Sequence, residues 1–203
     1  MEKFKALLIK VKDLALKPGN SWEALAQEEM VESYLLKSVL LPLTLMMAAG
    51  QFLGHWLVGT PIPRILGGGM VRLSFFEAFS NAIILGGLTA AGIWLFSKVI
   101  NYLATRFDAT ANPLNALKLS VFSMAPYLAA GLLFVFPQLA VIITLVSIYC
   151  LYLFYQGLPV LMQAPKEKTL AYAVVSIVTL VLIYLIITLI TTQILIAFAP
   201  NVY

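Results

Sequence analysis

The chain has 203 residues, of which 62% are hydrophobic and 11% charged, and its formal net charge is +4. A water-soluble fold of this size needs far more charge to cover its surface, so composition excludes a soluble globular domain and leaves one helical membrane domain. The single cysteine, Cys150, excludes a disulfide framework and a cysteine metal cage, and reads as a small apolar side chain in a packed helix.

No signal peptide is visible, because the first apolar run long enough to matter starts at Leu35. Residues 1–33 are therefore expected to stay on the mature chain as a cytoplasmic, interfacial segment ahead of a five-span domain at 34–203. Phe4, Leu7, Leu8, Val11 and Leu14 recur at helical spacing, while Lys3, Lys5, Lys10 and Lys12 take other positions. Such a helix is attracted to anionic headgroups, or packs on the protein's own loops, and the two are compatible. Pro18-Gly19 ends it. Asn20, with Glu23 three residues on, predicts the cap of a second short helix from Ser21 to about Ser33.

Five apolar runs follow, each near the roughly twenty residues that a hydrocarbon core of about 30 Å requires. They lie at about Leu35–Val58, Phe75–Leu103, Ala116–Phe136, Gln138–Met162 and Thr169–Ala199. The fold class is thus all-α, a polytopic bundle. The third and fourth runs are parted only by Pro137 and predict a tight antiparallel hairpin. The fourth carries three tyrosines and is expected to break at Gly157-Leu158-Pro159 before a charged turn to Lys168. Lysines gather before the first run, in the second loop and in the fourth, against Arg64 and Arg72 on the other side. That asymmetry predicts the N-terminus inside and the C-terminus outside. Gly50 and Gly54, Gly86, Gly87, Ala90 and Ala91, and Ala125, Ala129 and Ala130 mark close-packing seams, within the bundle or between protomers. No internal repeat supports an inverted-repeat transporter.

Polar residues in these runs are the candidate chemistry. Gln51 and His55, Glu77 and Asn81, and Thr188 and Thr192 with Gln193 beside them each share a helix face in the outward half. They form either one wet pocket for a cation or proton, or separate interhelical contacts with Glu77 at headgroup level beside Arg72. Tyr149, Tyr152, Tyr155 and Gln156 form either an aromatic belt or a face for a partner or lipid. Pro126 in mid-run predicts a kink. Gly67-Gly68-Gly69 reads as a loop turn, not a phosphate cradle. One histidine and one carboxylate are too few for a zinc site, and no nucleophile, base and orienting acid are assembled. No metal, cofactor, catalysis or nucleic-acid partner is expected.

Lys17-Pro18-Gly19-Asn20-Ser21-Trp22-Glu23, the step Ser123-Met124-Ala125-Pro126, and the stretch from Tyr152 through Tyr155-Gln156-Gly157-Leu158-Pro159-Val160-Leu161-Met162 to Pro165-Lys166-Glu167-Lys168 together resemble the Yip-domain family of Ypt/Rab-interacting membrane proteins. The resemblance is closest to the short prokaryotic branch and spans nearly the whole chain. It departs at Phe107-Asp108-Ala109-Thr110, where many relatives have a glycine pair. The resemblance implies five spans, a cytoplasmic N-terminus and a prokaryotic plasma (inner) membrane. Eukaryotic members bind small GTPases, a property not carried over to a chain this short. The expectation is a non-enzymatic membrane adaptor or organiser with anionic lipid, further copies of itself or other membrane proteins as partners. The alternative is a small transporter or channel using the outward polar residues.

Overall fold

The computed structural model describes residues 2–61 and 69–198. The expectations for Arg64, Gly67 and Gly68, and for the tail Pro200-Asn201-Val202-Tyr203, lie outside the described residues. Two short helices, α1 (Glu2–Leu16) and α2 (Pro18–Gln27), precede five long ones: α3 (Glu32–Val58), α4 (Phe75–Phe107), α5 (Pro113–Val135), α6 (Ala140–Leu161) and α7 (Lys166–Phe198). The last five are long and apolar enough to cross a bilayer, which bears out the five-span reading.

Local chemistry sets the ends. Ser74 caps α4: its hydroxyl accepts from the Glu77 N–H, and the Glu77 carboxylate accepts from the Ser74 N–H. The Asn112 side chain caps α5 by accepting from the N–H groups of Leu114 and Asn115, with Pro113 in the first turn. The expectation for α2, capped by Asn20 and running from Ser21 to about Ser33, is corrected. Proline needs no N–H partner in a first turn and presets the helical φ, so the helix begins at Pro18 and ends at Gln27. The break expected at Gly157-Leu158-Pro159 is corrected as well, since α6 runs unbroken to Leu161. Two turns of α3, Leu35–Leu40 and Gly54–Val58, widen to π geometry, the first just ahead of Pro42. An unpredicted two-residue antiparallel bridge joins Thr60–Pro61 to Met70–Val71 beyond α3.

Packing settles where the small residues act. A Cβ on Gly50 would overlap the Gly131 carbonyl oxygen and stand 2.8 Å from Leu132 Cα, and one on Gly54 would stand 3.0 Å from the Phe134 carbonyl carbon. The Gly50–Gly54 pair is therefore a seam inside the bundle, where α3 lies on the 3-10 turn that ends α5. Gly86 meets Ala48, Gly92 meets Ile183 and Ile187, and Gly87 faces open space. At that end, Phe52, Trp56, Phe75 and Phe79 stack and meet edge-on as an aromatic girdle.

Helix α5 is the central strut, buried on all sides from Ala116 to Pro126. Part of that cover comes from α1 and α2, whose Leu7, Val11, Leu14, Trp22 and Leu25 join the same core as the spans. The apolar face of α1 is turned onto its own bundle.

Candidate functional site

The expected outward pocket divides in the structure. His55 and Asn81 do meet, with Asn81 Nδ2 3.3 Å from His55 Nδ1. Gln51 lies one turn away on α3, its Oε1 buried without a hydrogen-bond partner among the described residues. Glu77 is committed to the Ser74 cap, and Arg72 is engaged elsewhere, donating to the Val58 carbonyl at 3.3 Å. Thr188 and Thr192 bond back to the carbonyls of Tyr184 and Thr188, and with Gln193 they face outward from α7. A threonine in an apolar helix satisfies itself in this way, so it needs no shared pocket. The first two faces thus meet only through His55 and Asn81, with Gln51 nearby, while Glu77 is held by its cap and the α7 face lies apart.

The opposite end of the bundle is more fully built, and Lys118 is its centre. This lysine is 3% exposed, and its ammonium donates to the carbonyls of Leu25 at 3.1 Å and Glu28 at 2.6 Å. Those carbonyls lie at the C-terminal end of α2, where orphan acceptors and the negative end of the helix dipole attract a cation. The side chain of the same Glu28 pairs with Lys10 of α1 at 2.5 Å. Lys10 is thereby withdrawn from the free basic set, leaving Lys5 and Lys12 exposed on α1, the helix that also carries Lys3. An ionisable group inside a span normally faces a partner. That rule was the signal for Lys118, which sequence reasoning counted only as an orientation charge.

Trp22 is the second anchor. It is fully buried, in a notch that the missing side chain of Gly157 opens; a Cβ there would stand 2.5 Å from Leu119 Cδ1 and 2.9 Å from Trp22 Cε2. Two of the three sequence stretches that carry the family resemblance therefore touch, because the glycine admits the indole. Trp22 Nε1 has no hydrogen-bond partner among the described residues, so shape holds it. Gly157→Val is expected to expel Trp22 and raise tryptic cleavage within residues 2–27 at least tenfold, about 1.4 kcal/mol, with the five spans still folded. Limited proteolysis in detergent reads this directly.

Tyr149 is the third. Its hydroxyl donates to the Ala15 carbonyl at 2.7 Å, and its ring lies 5.6 Å from that of Tyr152. The tyrosine face is thus partly taken up by the chain's own α1. Gln156 donates to the Tyr152 hydroxyl on the same helix, and Tyr155 points outward.

The charged turn is stitched to the loop before α5. The Thr110 N–H donates to the Met162 carbonyl at 2.8 Å, its hydroxyl to Gln163 Oε1 at 2.9 Å, and Asn115 Nδ2 to the Leu161 carbonyl at 3.0 Å. Lys168 pairs with Asp108. Asp108 has φ 54°, a left-handed conformation that glycine adopts most easily. The loop keeps here, with an aspartate, the backbone shape that a glycine pair permits. These bonds fix the turn and the loop as one surface.

Comparison with known proteins finds similar membrane proteins. Inner membrane protein YohC of Escherichia coli strain K12 is 25% identical over 133 residues, covering 64% of this chain and 68% of that protein. YohC of E. coli strain CFT073 matches to the same extent. No solved structure gives a significant match. The model of the Yip1 domain matches residues 12–189, which takes in α2, the first four spans, most of the fifth and the anchors Trp22, Lys118 and Gly157. This chain belongs to the Yip1 domain family of membrane proteins.

Proposed function

We propose that this protein is a non-enzymatic membrane organiser that binds other membrane proteins, or further copies of itself, through the stitched face at the end where α1 and α2 dock. The observation that carries the reading is Lys118, a buried ammonium whose partners are the carbonyls that fix the N-terminal segment. A buried charge is costly, and its return here is a docked N-terminal segment; Glu29, Arg106 and Lys166 are exposed at the same end of the bundle. The concentration of basic residues at this end supports an inward N-terminus and an outward C-terminus. The E. coli relatives are inner membrane proteins, which supports an inner membrane as its location.

Photo-crosslinkers placed at Arg106 and Lys166 in intact membranes are expected to trap defined protein adducts, which a crosslinker at Arg72 on the other end does not. Equal adducts at all three sites would overturn the reading. A second reading, a small transporter or channel, has one observation in its favour: the unpartnered Gln51 Oε1 one turn from the His55–Asn81 contact. Proton or cation flux in proteoliposomes that His55→Ala abolishes would establish it in place of the first.

A further inference from the structure

The contacts that hold α1 and α2 also fix their depth. Helix α6 has 22 residues, so nearly its whole length is needed to cross a hydrocarbon core of about 30 Å. Tyr149 lies close to its middle, about 18 Å along the axis from Leu161, and Gly157 about 6 Å from that end. Tyr149 holds the last turn of α1, and Gly157 holds Trp22 of α2. The junction between the two helices therefore lies beside the spans, at the depth of one leaflet, rather than on top of the bilayer.

The surface left free there has a matching composition. With Leu7, Val11 and Leu14 turned inward, α1 presents Lys5, Ile9, Lys12 and Leu16 on one outer stripe. Ile9 is 55% and Leu16 70% exposed. Glu2 and Asp13, also exposed, lie at the margin of the stripe, and Lys17 follows it at the junction, exposed, so lysines outnumber carboxylates on this outer face. Alternating apolar and lysine side chains suit acyl chains next to phosphates, because the lysine stems lie along hydrocarbon while the ammonium reaches back to headgroups. Exposed Asn20 and Glu23 beside the junction bring headgroups and water toward it.

We propose that the α1–α2 hairpin is embedded in one leaflet as a wedge against α5 and α6, and that anionic phospholipids occupy its outer stripe through Lys5, Lys12 and Lys17. The hairpin replaces lipid along the inner half of α5, where Lys118, Ser120 and Ser123 are buried. This inference goes beyond the organiser reading and stands or falls separately from it, because it concerns lipid and not protein contacts.

Spin labels at Ile9→Cys and Leu16→Cys test it, in a Cys150→Ala background and in phosphatidylcholine vesicles with and without phosphatidylglycerol. Both positions are exposed, so the labels leave the packing intact. Collisions with oxygen, which concentrates in hydrocarbon, are expected to exceed those with a water-soluble nickel chelate at both sites. Phosphatidylglycerol retained through detergent purification is expected to fall severalfold in the triple variant Lys5→Gln, Lys12→Gln, Lys17→Gln. Nickel collisions dominating at either site, or retention that the triple variant leaves unchanged, would overturn the proposal.

Discussion

Gly50→Ala is expected to lower the thermal midpoint in detergent by about 10 °C, the equivalent of about 3 kcal/mol for a chain of this size. The added methyl would meet the carbonyl oxygen of Gly131 and the Cα of Leu132, both main-chain atoms of the 3-10 turn that closes α5. Neither can rotate aside as a side-chain tip would. Relief requires α3 to move off the turn, which also loosens Met47, the residue that a Cβ on Gly131 would strike. Gly87→Ala is the matched control. Nothing lies within 4 Å of its Cβ position, and alanine favours the helix by under about 1 kcal/mol. Midpoints followed by size-exclusion survival should therefore separate the two glycines cleanly. Equal midpoints would mean that the α3–α5 seam is not closed as described.

Lys118→Met is expected to release the N-terminal segment while leaving the spans assembled. Methionine keeps most of the side-chain volume and removes the ammonium that bridges the Leu25 and Glu28 carbonyls. Hydrogen bonds to a charged group contribute about 1.5–3 kcal/mol each, partly offset because the variant no longer buries a charge. The net effect should raise amide exchange across residues 2–27 by about 10- to 100-fold, with exchange in α5 and α6 nearly unchanged. Hydrogen exchange by mass spectrometry in detergent or nanodiscs resolves the two regions. Unchanged exchange in α1 and α2 would show that Trp22 and its notch suffice to hold the segment. Loss of protection throughout would show that Lys118 supports the core itself.

Much of the architecture was legible because a membrane helix is written into a single continuous run. Leu35–Val58 and Phe75–Leu103 were readable within a few residues, since nothing but an apolar stretch of this length satisfies every backbone group in lipid. The Pro137 hairpin was readable for the same reason. Other signals misled because they were local. Gly157-Leu158-Pro159 has the composition of a helix break, yet α6 continues through it, and the glycine serves a close approach from Trp22 135 residues earlier in the chain. Asn20 with Glu23 has the pattern of a cap, but Pro18 took the first turn.

The candidate sites show the same division. Helical spacing correctly put Gln51 with His55 and Glu77 with Asn81, but spacing within one helix cannot say how helices rotate against one another. Only tertiary packing brought His55 to Asn81, bound Glu77 to Ser74 and left Thr188, Thr192 and Gln193 facing outward. The amphipathic α1 was legible from Leu7, Val11 and Leu14. That its apolar face docks on the bundle was decided by packing, with Tyr149 holding Ala15 from 134 residues away in the chain. Sequence alone determined the class, the number of spans and the family, because each rests on runs and motifs within one segment. The seam at Gly50, the latch at Trp22 and the buried Lys118 were decided only by the fold, because each is a contact between segments, and the free energy of a contact belongs to both partners.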